Sequence, residues 1–139
     1  MSLTRPVPKD HHTPAGQYSH VAIAEAGRLA FIAGQVAFDR DGNLVGRGDL
    51  AAQTQQVFAN LKNILDDLGA TPSDIAELRT FIVGDDVVPR FREARRAAFD
   101  RMFPDGEYPP NTLLVVAGLA SPEIEVEISA VVALPDSMS

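Results

Sequence analysis

The sequence predicts one α+β domain in which two helices pack on a mixed β-sheet, with the element order β-β-α-β-α-β-β. Two segments keep the i, i+3, i+4 spacing of amphipathic helices. The other apolar runs are short, rich in β-branched residues and bounded by glycine or proline, as strands are. The 139 residues fit one domain. We divide the chain into an extended arm (residues 1–15), the domain (residues 16–135) and a tail (residues 136–139).

The first two strands are predicted at residues 18–24 and 28–33, joined as a hairpin by residues 25–27. Apolar residues fill both alternating faces of the second strand, which indicates that both of its sides are covered. The polar arm before them contains His11 and His12. Because no third ligand follows at a useful spacing, we interpret this pair as part of a solvated arm and predict no metal site.

Two helices are predicted on either side of a third strand at residues 77–83. The first starts at residues 48–49 and stops at Gly69. The second spans residues 86–103. One of its faces carries the arginines Arg90, Arg92, Arg95, Arg96 and Arg101. Solvent exposure with local acidic partners is the favoured interpretation of this basic face, and an anion-binding surface is the alternative.

The last two strands, at residues 112–119 and 124–134, carry the most informative polar residues. Apolar and polar residues alternate from residue 124 to residue 129, which places Glu127 on the face opposite the apolar one. The chain then becomes wholly apolar. The carboxylate either lies at the margin of the sheet or serves a polar cleft, and both interpretations stay open.

The sheet is expected to keep one uncovered apolar face. Each helix has a single apolar stripe, so both helices should lie on the same side of the sheet. The other side then retains Phe81 and either Phe31 or Ile32. Soluble monomers rarely leave a large apolar patch in water. We therefore predict a homo-oligomer that covers this face.

The bulk composition excludes several classes of function. A net charge of −7 leaves no excess of basic side chains to neutralise phosphates, which argues against nucleic acid as a partner. The absence of cysteine excludes disulfides, thiol nucleophiles and cysteine-ligated metals. The apolar runs fall short of the ~18 residues that span a bilayer, and the start of the chain lacks a signal-peptide pattern. These features predict a cytoplasmic protein without a membrane partner.

Several short motifs, taken in order, resemble the RidA/YjgF family. They are Gly-Gln-Tyr at residues 16–18, Ile-Ala-Gly-Gln at residues 32–35, Gln-Thr at residues 53–54 and Asn-Leu-Lys-x-Ile-Leu at residues 60–65. The resemblance implies a chorismate-mutase-like α+β fold. It also implies a homotrimer whose sheets line a central barrel, with clefts for small ligands between the subunits.

The resemblance further implies hydrolysis of an enamine or imine to a keto acid and ammonia, without a metal or organic cofactor. The family's cleft tyrosine falls on Tyr18, and the backbone segment that shapes the cleft falls on Ala33 and Gly34. The glutamate that positions the attacking water falls on Glu127. A carboxylate that orients or deprotonates water suits an imine carbon, which is already electrophilic.

One position departs from the family pattern. Asn111 stands where the family has an arginine that grips the substrate carboxylate. An asparagine offers neutral hydrogen-bonding groups and no charged fork. Loss of a charge-assisted pair is expected to cost about 1.5–3 kcal/mol of binding free energy. Arg79 is the first candidate to replace the missing arginine, and Arg96 is the second.

Each site residue also has a structural interpretation. Glu127 is equally consistent with a carboxylate at a subunit margin, bonded to backbone or to an arginine. In the simpler interpretation, the ring of Tyr18 packs against the domain and its hydroxyl contacts solvent. Asn111 follows two prolines and is suited to turning the chain into its strand.

Three functions therefore remain open. The first is deamination, or a related hydrolysis, of a small imine- or enamine-type metabolite by water that Glu127 positions, with 2-imino acid specificity in question because of Asn111. The second is a trimer that binds a small ligand without catalysis. The third, ribonuclease activity or translation inhibition, is disfavoured by the acidic composition. A ribonuclease would also need paired acid–base groups such as histidines. Only His20 lies outside the arm, and we interpret it as a surface residue of a strand.

Overall fold

A four-stranded mixed sheet carries two helices on one of its faces in the computed structural model, which describes residues 3–25 and 27–135. The elements are β1 (Leu3–Thr4), β2 (Ile23–Ala24), β3 (Leu29–Gln35), α1 (Leu50–Asp67), β4 (Ile75–Ile82), α2 (Val87–Met102), β5 (Asn111–Val115) and β6 (Val126–Ala133). The predicted α+β class, with two helices and a mixed sheet, is confirmed. The predicted tail at residues 136–139 and residue 26 of the predicted turn lie outside the described residues.

Strand β6 lies in the interior of the sheet, whose strand order is β3-β6-β4-β5. It runs antiparallel to β3 and to β4, whereas β4 and β5 are parallel. A parallel pair needs a crossover connection, and the segment containing α2 supplies it. Along β6, side chains that face the helices are buried and those between them are half-buried, so the helices cover one face only.

The predicted hairpin between residues 18–24 and 28–33 is wrong. Within the first segment only Ile23–Ala24 forms a strand, and it pairs with Leu3–Thr4 instead of β3. Strand β3 pairs with β6 along its length. The apolar side chains of β3 find a longer apolar partner in β6 than residues 18–24 offer, so packing in the tertiary structure overrides the local hairpin signal.

Helix α1 begins and ends where the sequence predicts. The side chain of Asp49 caps it by accepting a hydrogen bond from the Ala52 backbone amide at 3.0 Å. The chain leaves the helix at Gly69, whose φ of 70° is the left-handed conformation that glycine adopts without strain. Within residues 3–25 and 27–135, no helix combines the length and apolar character that a membrane crossing requires.

Helix α2 departs from prediction at Arg95, which does not lie on the exposed basic face. Only 4% of Arg95 is exposed. Its guanidinium carbon lies 5.6 Å from the ring centre of Phe91 and 5.1 Å from that of Phe99. Arg95 is four residues from each ring, and this spacing places it within the apolar stripe. Arg96 does lie on the exposed basic face of α2, where its guanidinium pairs with the carboxylate of Glu93 at 2.9 Å.

The sheet face away from the helices is open and partly apolar, as predicted. Phe31 is 75% exposed there, whereas Ile32 next to it is buried against the helices. Phe81 lies in the middle of this face, paired with Leu114 on one side and with Glu127 on the other.

Gln53 ties helix α1 to two loops and is completely buried. Its Nε2 donates hydrogen bonds to the carbonyl oxygens of Gly46 at 3.1 Å and of Glu123 at 2.9 Å. Its Oε1 accepts from the backbone amide of Glu125 at 2.9 Å. One side chain therefore fixes the segment that enters β6.

Replacing Gln53 with leucine should lower the free energy of unfolding by about 2–4 kcal/mol, because three backbone groups lose their partner. Gln56→Leu is the matched control, since the Gln56 amide donates to the side chain of Asn60 at 2.9 Å. The control should cost less than about 0.5 kcal/mol. Urea unfolding followed by circular dichroism measures both changes, and equal losses would contradict the role assigned to Gln53.

Candidate functional site

Glu127 lies on β6 in the open face of the sheet, opposite Phe81 of β4. Its chain neighbours Val126 and Ile128 are fully buried against the helices. Since side chains alternate along a strand, the carboxylate points away from the core. The predicted alternation around Glu127 is confirmed.

A bulge in β3 accommodates this carboxylate. The register of β3 against β6 gains one residue between Ile32 and Gln35, so the bulge includes Ala33 and Gly34. A Cβ atom at Gly34 would overlap the side chain of Glu127, whose Cγ would be 2.8 Å from it. The absence of a side chain at Gly34 therefore makes room for the carboxylate. We call Glu127 with Ala33 and Gly34 the carboxylate half-site.

A cavity with polar and apolar walls opens beside the Gly34 bulge, on the helix side of the sheet. Its volume is about 740 Å³, and it lies between the end of β3 and helix α1. Gly34 forms part of its wall, together with Asp39, Arg40 and Asn60. The carbonyl oxygen of Ala33 accepts a hydrogen bond from the side chain of Gln35 at 3.0 Å.

Asn111 and the segment that carries Tyr18 meet at a different place, near the start of β5. The Thr80 hydroxyl donates to Oδ1 of Asn111 at 3.0 Å. The backbone amide of Ser19 donates to the carbonyl oxygen of Pro109 at 3.3 Å, which docks the Tyr18 segment beside β5. We call Asn111 with Thr80 and Tyr18 the amide half-site.

One chain does not bring the two half-sites together. Asn111 is paired with Leu78, which packs towards the helices, whereas Glu127 is paired with Phe81 on the open face. Paired residues share a face, so the side chains of Asn111 and Glu127 leave the sheet in opposite directions. Strand spacing and rise place their Cα atoms about 14 Å apart.

The two arginines predicted as replacements lie elsewhere. Arg79 is a diagonal neighbour of Glu127 on the open face, and its Nε lies 3.2 Å from a carboxylate oxygen of Glu77. It therefore accompanies the carboxylate half-site and leaves the sheet on the face opposite Asn111. Arg96 is exposed on α2.

The sequence analysis assigned Arg95 to the exposed basic face of α2 and did not predict that this cation lies near the site. Its Nη2 would lie 3.7 Å from a Cβ atom at Gly16, two residues before Tyr18. Among the described residues its buried Nε has no hydrogen-bond partner. Burial, followed by repulsion from Arg92, lowers the pKa of Arg95 to about 10, while Tyr108 acts in the opposite direction. A buried positive charge therefore persists at neutral pH beside the amide half-site. Its position within the apolar stripe of α2 was the available sequence signal.

Comparison with known proteins places this geometry in a family. A family model described as endoribonuclease L-PSP matches residues 9–134. YyfB from Yersinia pestis, a conserved Rid family protein of unknown function, has a crystal structure that is 38% identical to this chain with a TM-score of 0.86. The match covers 96% of this chain and 100% of that one. The chain belongs to the Rid family.

More distant Rid relatives match over most of their length. RutC family proteins from Pyrococcus abyssi and Pyrococcus horikoshii are 26% and 28% identical over 118 residues, which is 85% of this chain and 87% of each relative. RidA from an Antarctic Psychrobacter is 25% identical, with a TM-score of 0.65, and the match covers 94% of this chain and 95% of that one. The family resemblance recognised from the ordered motifs is therefore confirmed.

Replacing Gly34 with alanine should displace the Glu127 carboxylate and leave the fold intact, because the overlap involves the flexible end of a side chain. The loss of unfolding free energy should stay below about 1.5 kcal/mol. Gly118→Ala is the control, since a Cβ atom there meets no atom within 4 Å. A crystal structure and thermal unfolding of each variant make the test, and an unmoved Glu127 in Gly34→Ala would contradict it.

Proposed function

We propose that this Rid family protein hydrolyses a small imine or enamine to a carbonyl compound and ammonia, with Glu127 positioning the water. The observation that carries the proposal is the contact of the Glu127 carboxylate with the bulge at Gly34, a residue that also lines the neighbouring cavity. Family membership supports a RidA-like function in general. The identity of the substrate and the role of Glu127 are what the proposal adds to that membership.

The proposed reaction needs an oriented water and the transfer of both water protons to the nitrogen. Glu127 takes a proton from water as the water oxygen bonds to the imine carbon, and delivery of that proton to the nitrogen gives a carbinolamine. The hydroxyl proton of the carbinolamine then passes to the nitrogen, again by way of Glu127, as the carbon–nitrogen bond breaks, and a carbonyl compound and ammonia leave. An enamine reaches the same path after protonation at carbon. Proton transfer by a positioned side chain contributes typically about 10²–10⁴-fold to a rate.

The proposed cleft is completed between the subunits of a homotrimer whose sheets line a barrel. Two findings support this arrangement. The carboxylate and amide half-sites point to opposite sides of the sheet, so a second copy is needed to close a cleft over either one. The open face also leaves Phe31 75% exposed, and a subunit interface would cover it.

Asn111 itself favours a substrate group without a full negative charge, and the buried Arg95 guanidinium beside this half-site lies against Gly16 and the rings of Phe91 and Phe99. Oδ1 of Asn111 is occupied by the Thr80 hydroxyl, so the amide nitrogen is left to donate to a ligand. Neutral donors suit a carbonyl or hydroxyl oxygen better than a carboxylate. We propose a neutral or weakly anionic imine as the substrate, with Arg79 supplying positive charge beside Glu127.

Glu127→Gln should reduce ammonia release from the best substrate by about 10²-fold or more, because the amide does not accept a proton from water. The substrates are neutral imines and a series of 2-imino acids, the latter generated in place by an amino-acid oxidase. Glu125→Gln is the matched control and should keep wild-type activity, since Glu125 faces Arg90 at 3.8 Å. A Glu127→Gln variant as active as the wild type would refute the mechanism.

Asn111→Arg tests substrate class in the same assay. It should shift preference towards 2-imino acids by about tenfold or more, because a guanidinium pairs with a carboxylate. An inert wild type beside an active Asn111→Arg would mean that the water-positioning half-site is intact and specificity has changed. If every variant is inert on every substrate, the protein is a ligand-binding trimer without this activity.

Phe31→Asp should convert the trimer into monomers, because it puts a charge into the proposed interface. Val7→Asp is the control, since Val7 is an exposed apolar residue outside the four-stranded sheet. Sedimentation velocity measures the mass of each form. A monomeric wild type, or a Phe31→Asp variant that keeps three chains, would contradict the proposed assembly.

A further inference from the structure

Three histidines that are separated in sequence come together at the start of the domain. The sequence analysis found no third partner for His11 and His12, but the fold brings His20 to them. The ring centres are 4.4 Å apart for His11–His12, 4.4 Å for His11–His20 and 4.6 Å for His12–His20. One ring nitrogen from each histidine lies within 4.8 Å of the other two.

Backbone carbonyl groups orient two of these rings. Nδ1 of His12 lies 3.0 Å from the carbonyl oxygen of Thr13, and Nε2 of His20 lies 2.8 Å from the carbonyl oxygen of His12. A carbonyl oxygen only accepts hydrogen bonds, so each of these nitrogens carries the proton. In the neutral ring the lone pair is then on Nε2 of His12 and on Nδ1 of His20. In metal sites, the histidine nitrogen that does not bind the metal usually donates a hydrogen bond to a carbonyl or carboxylate oxygen, and this bond holds the ring in its orientation.

The surroundings keep the cluster in place. The Tyr18 ring packs edge-on against His20, with centres 5.5 Å apart. The Tyr18 hydroxyl accepts a hydrogen bond from the backbone amide of Ala15 at 3.3 Å, which ties the arm to this segment.

We propose that His11, His12 and His20 bind a Zn²⁺ ion. Three imidazole nitrogens suit zinc and related transition metals, whereas Mg²⁺ and Ca²⁺ require oxygen ligands. In a tetrahedral zinc site the ligand nitrogens are about 3.4 Å apart, so small rotations of the exposed His11 and His12 side chains close the site. A fourth position stays open for water or another ligand. The ion links the arm to the segment that carries Tyr18.

Zinc titration of the full chain, stripped with a chelator and followed by calorimetry, tests the proposal. The wild type should bind one Zn²⁺ per chain. The chain contains three histidines and no cysteine, so removal of this cluster removes every histidine and thiol ligand. His20→Gln and His11→Ala should each weaken binding at least about tenfold. Thr13→Ala is the matched control and should bind as the wild type, because the hydrogen bond of His12 goes to the Thr13 backbone, which the substitution keeps.

Cobalt absorption gives a second readout that does not depend on stability. Co²⁺ bound by the wild type should show the intense visible bands of a tetrahedral site, and His20→Gln should lose them. Thermal unfolding in chelator should be the same for the His11→Ala variant and the wild type, which separates metal loss from misfolding. Absence of saturable Zn²⁺ binding by the wild type would overturn the proposal. Binding that survives His20→Gln unchanged would also overturn it, because the arm pair alone would then hold the ion.

Discussion

Strand β6 is the constraint on which the rest of the structure depends. It pairs with β3 on one side and with β4 on the other, so every pairing that holds the helix-covered core together includes it or its neighbour. Its buried side chains, such as Ile128, pack against the helices. The alternation of a strand then leaves Glu127 on the opposite face. A carboxylate on this strand is held by a backbone that is hydrogen-bonded on both sides, which is the support that a water-positioning group needs.

The sheet itself separates the candidate site into two parts. Glu127 and the Gly34 bulge lie on one face, and Asn111 lies at the start of an edge strand and faces the other. In the proposed function, assembly and activity are therefore linked, since closure of a cleft over a half-site requires another subunit. Under the same proposal, the residue at position 111 can change substrate class without disturbing the carboxylate of Glu127.

The arm is anchored to the domain at a few points, although most of its described residues are exposed. Leu3 is buried and pairs with Ala24 in the two-stranded sheet. The side chain of Arg5 donates to the carbonyl oxygen of Ser73 at 3.0 Å. The histidine cluster ties the arm to the segment around Tyr18, and this segment docks on Pro109 at the entrance to β5. The position of the arm therefore affects the shape of the amide half-site through these contacts.

The sequence by itself determined the helices, the core-facing pattern of β6 and the sheet face on which Glu127 lies, because helix caps and side-chain periodicity are local properties. Motif order was also enough for the family. Only the tertiary structure decided that β3 pairs with β6, since strand pairing depends on the best long-range partner. It also decided that His20 joins His11 and His12, because the proximity of these residues is set by how the arm packs on the domain. The burial of Arg95, in contrast, was encoded locally by its place between Phe91 and Phe99 in the apolar stripe of α2.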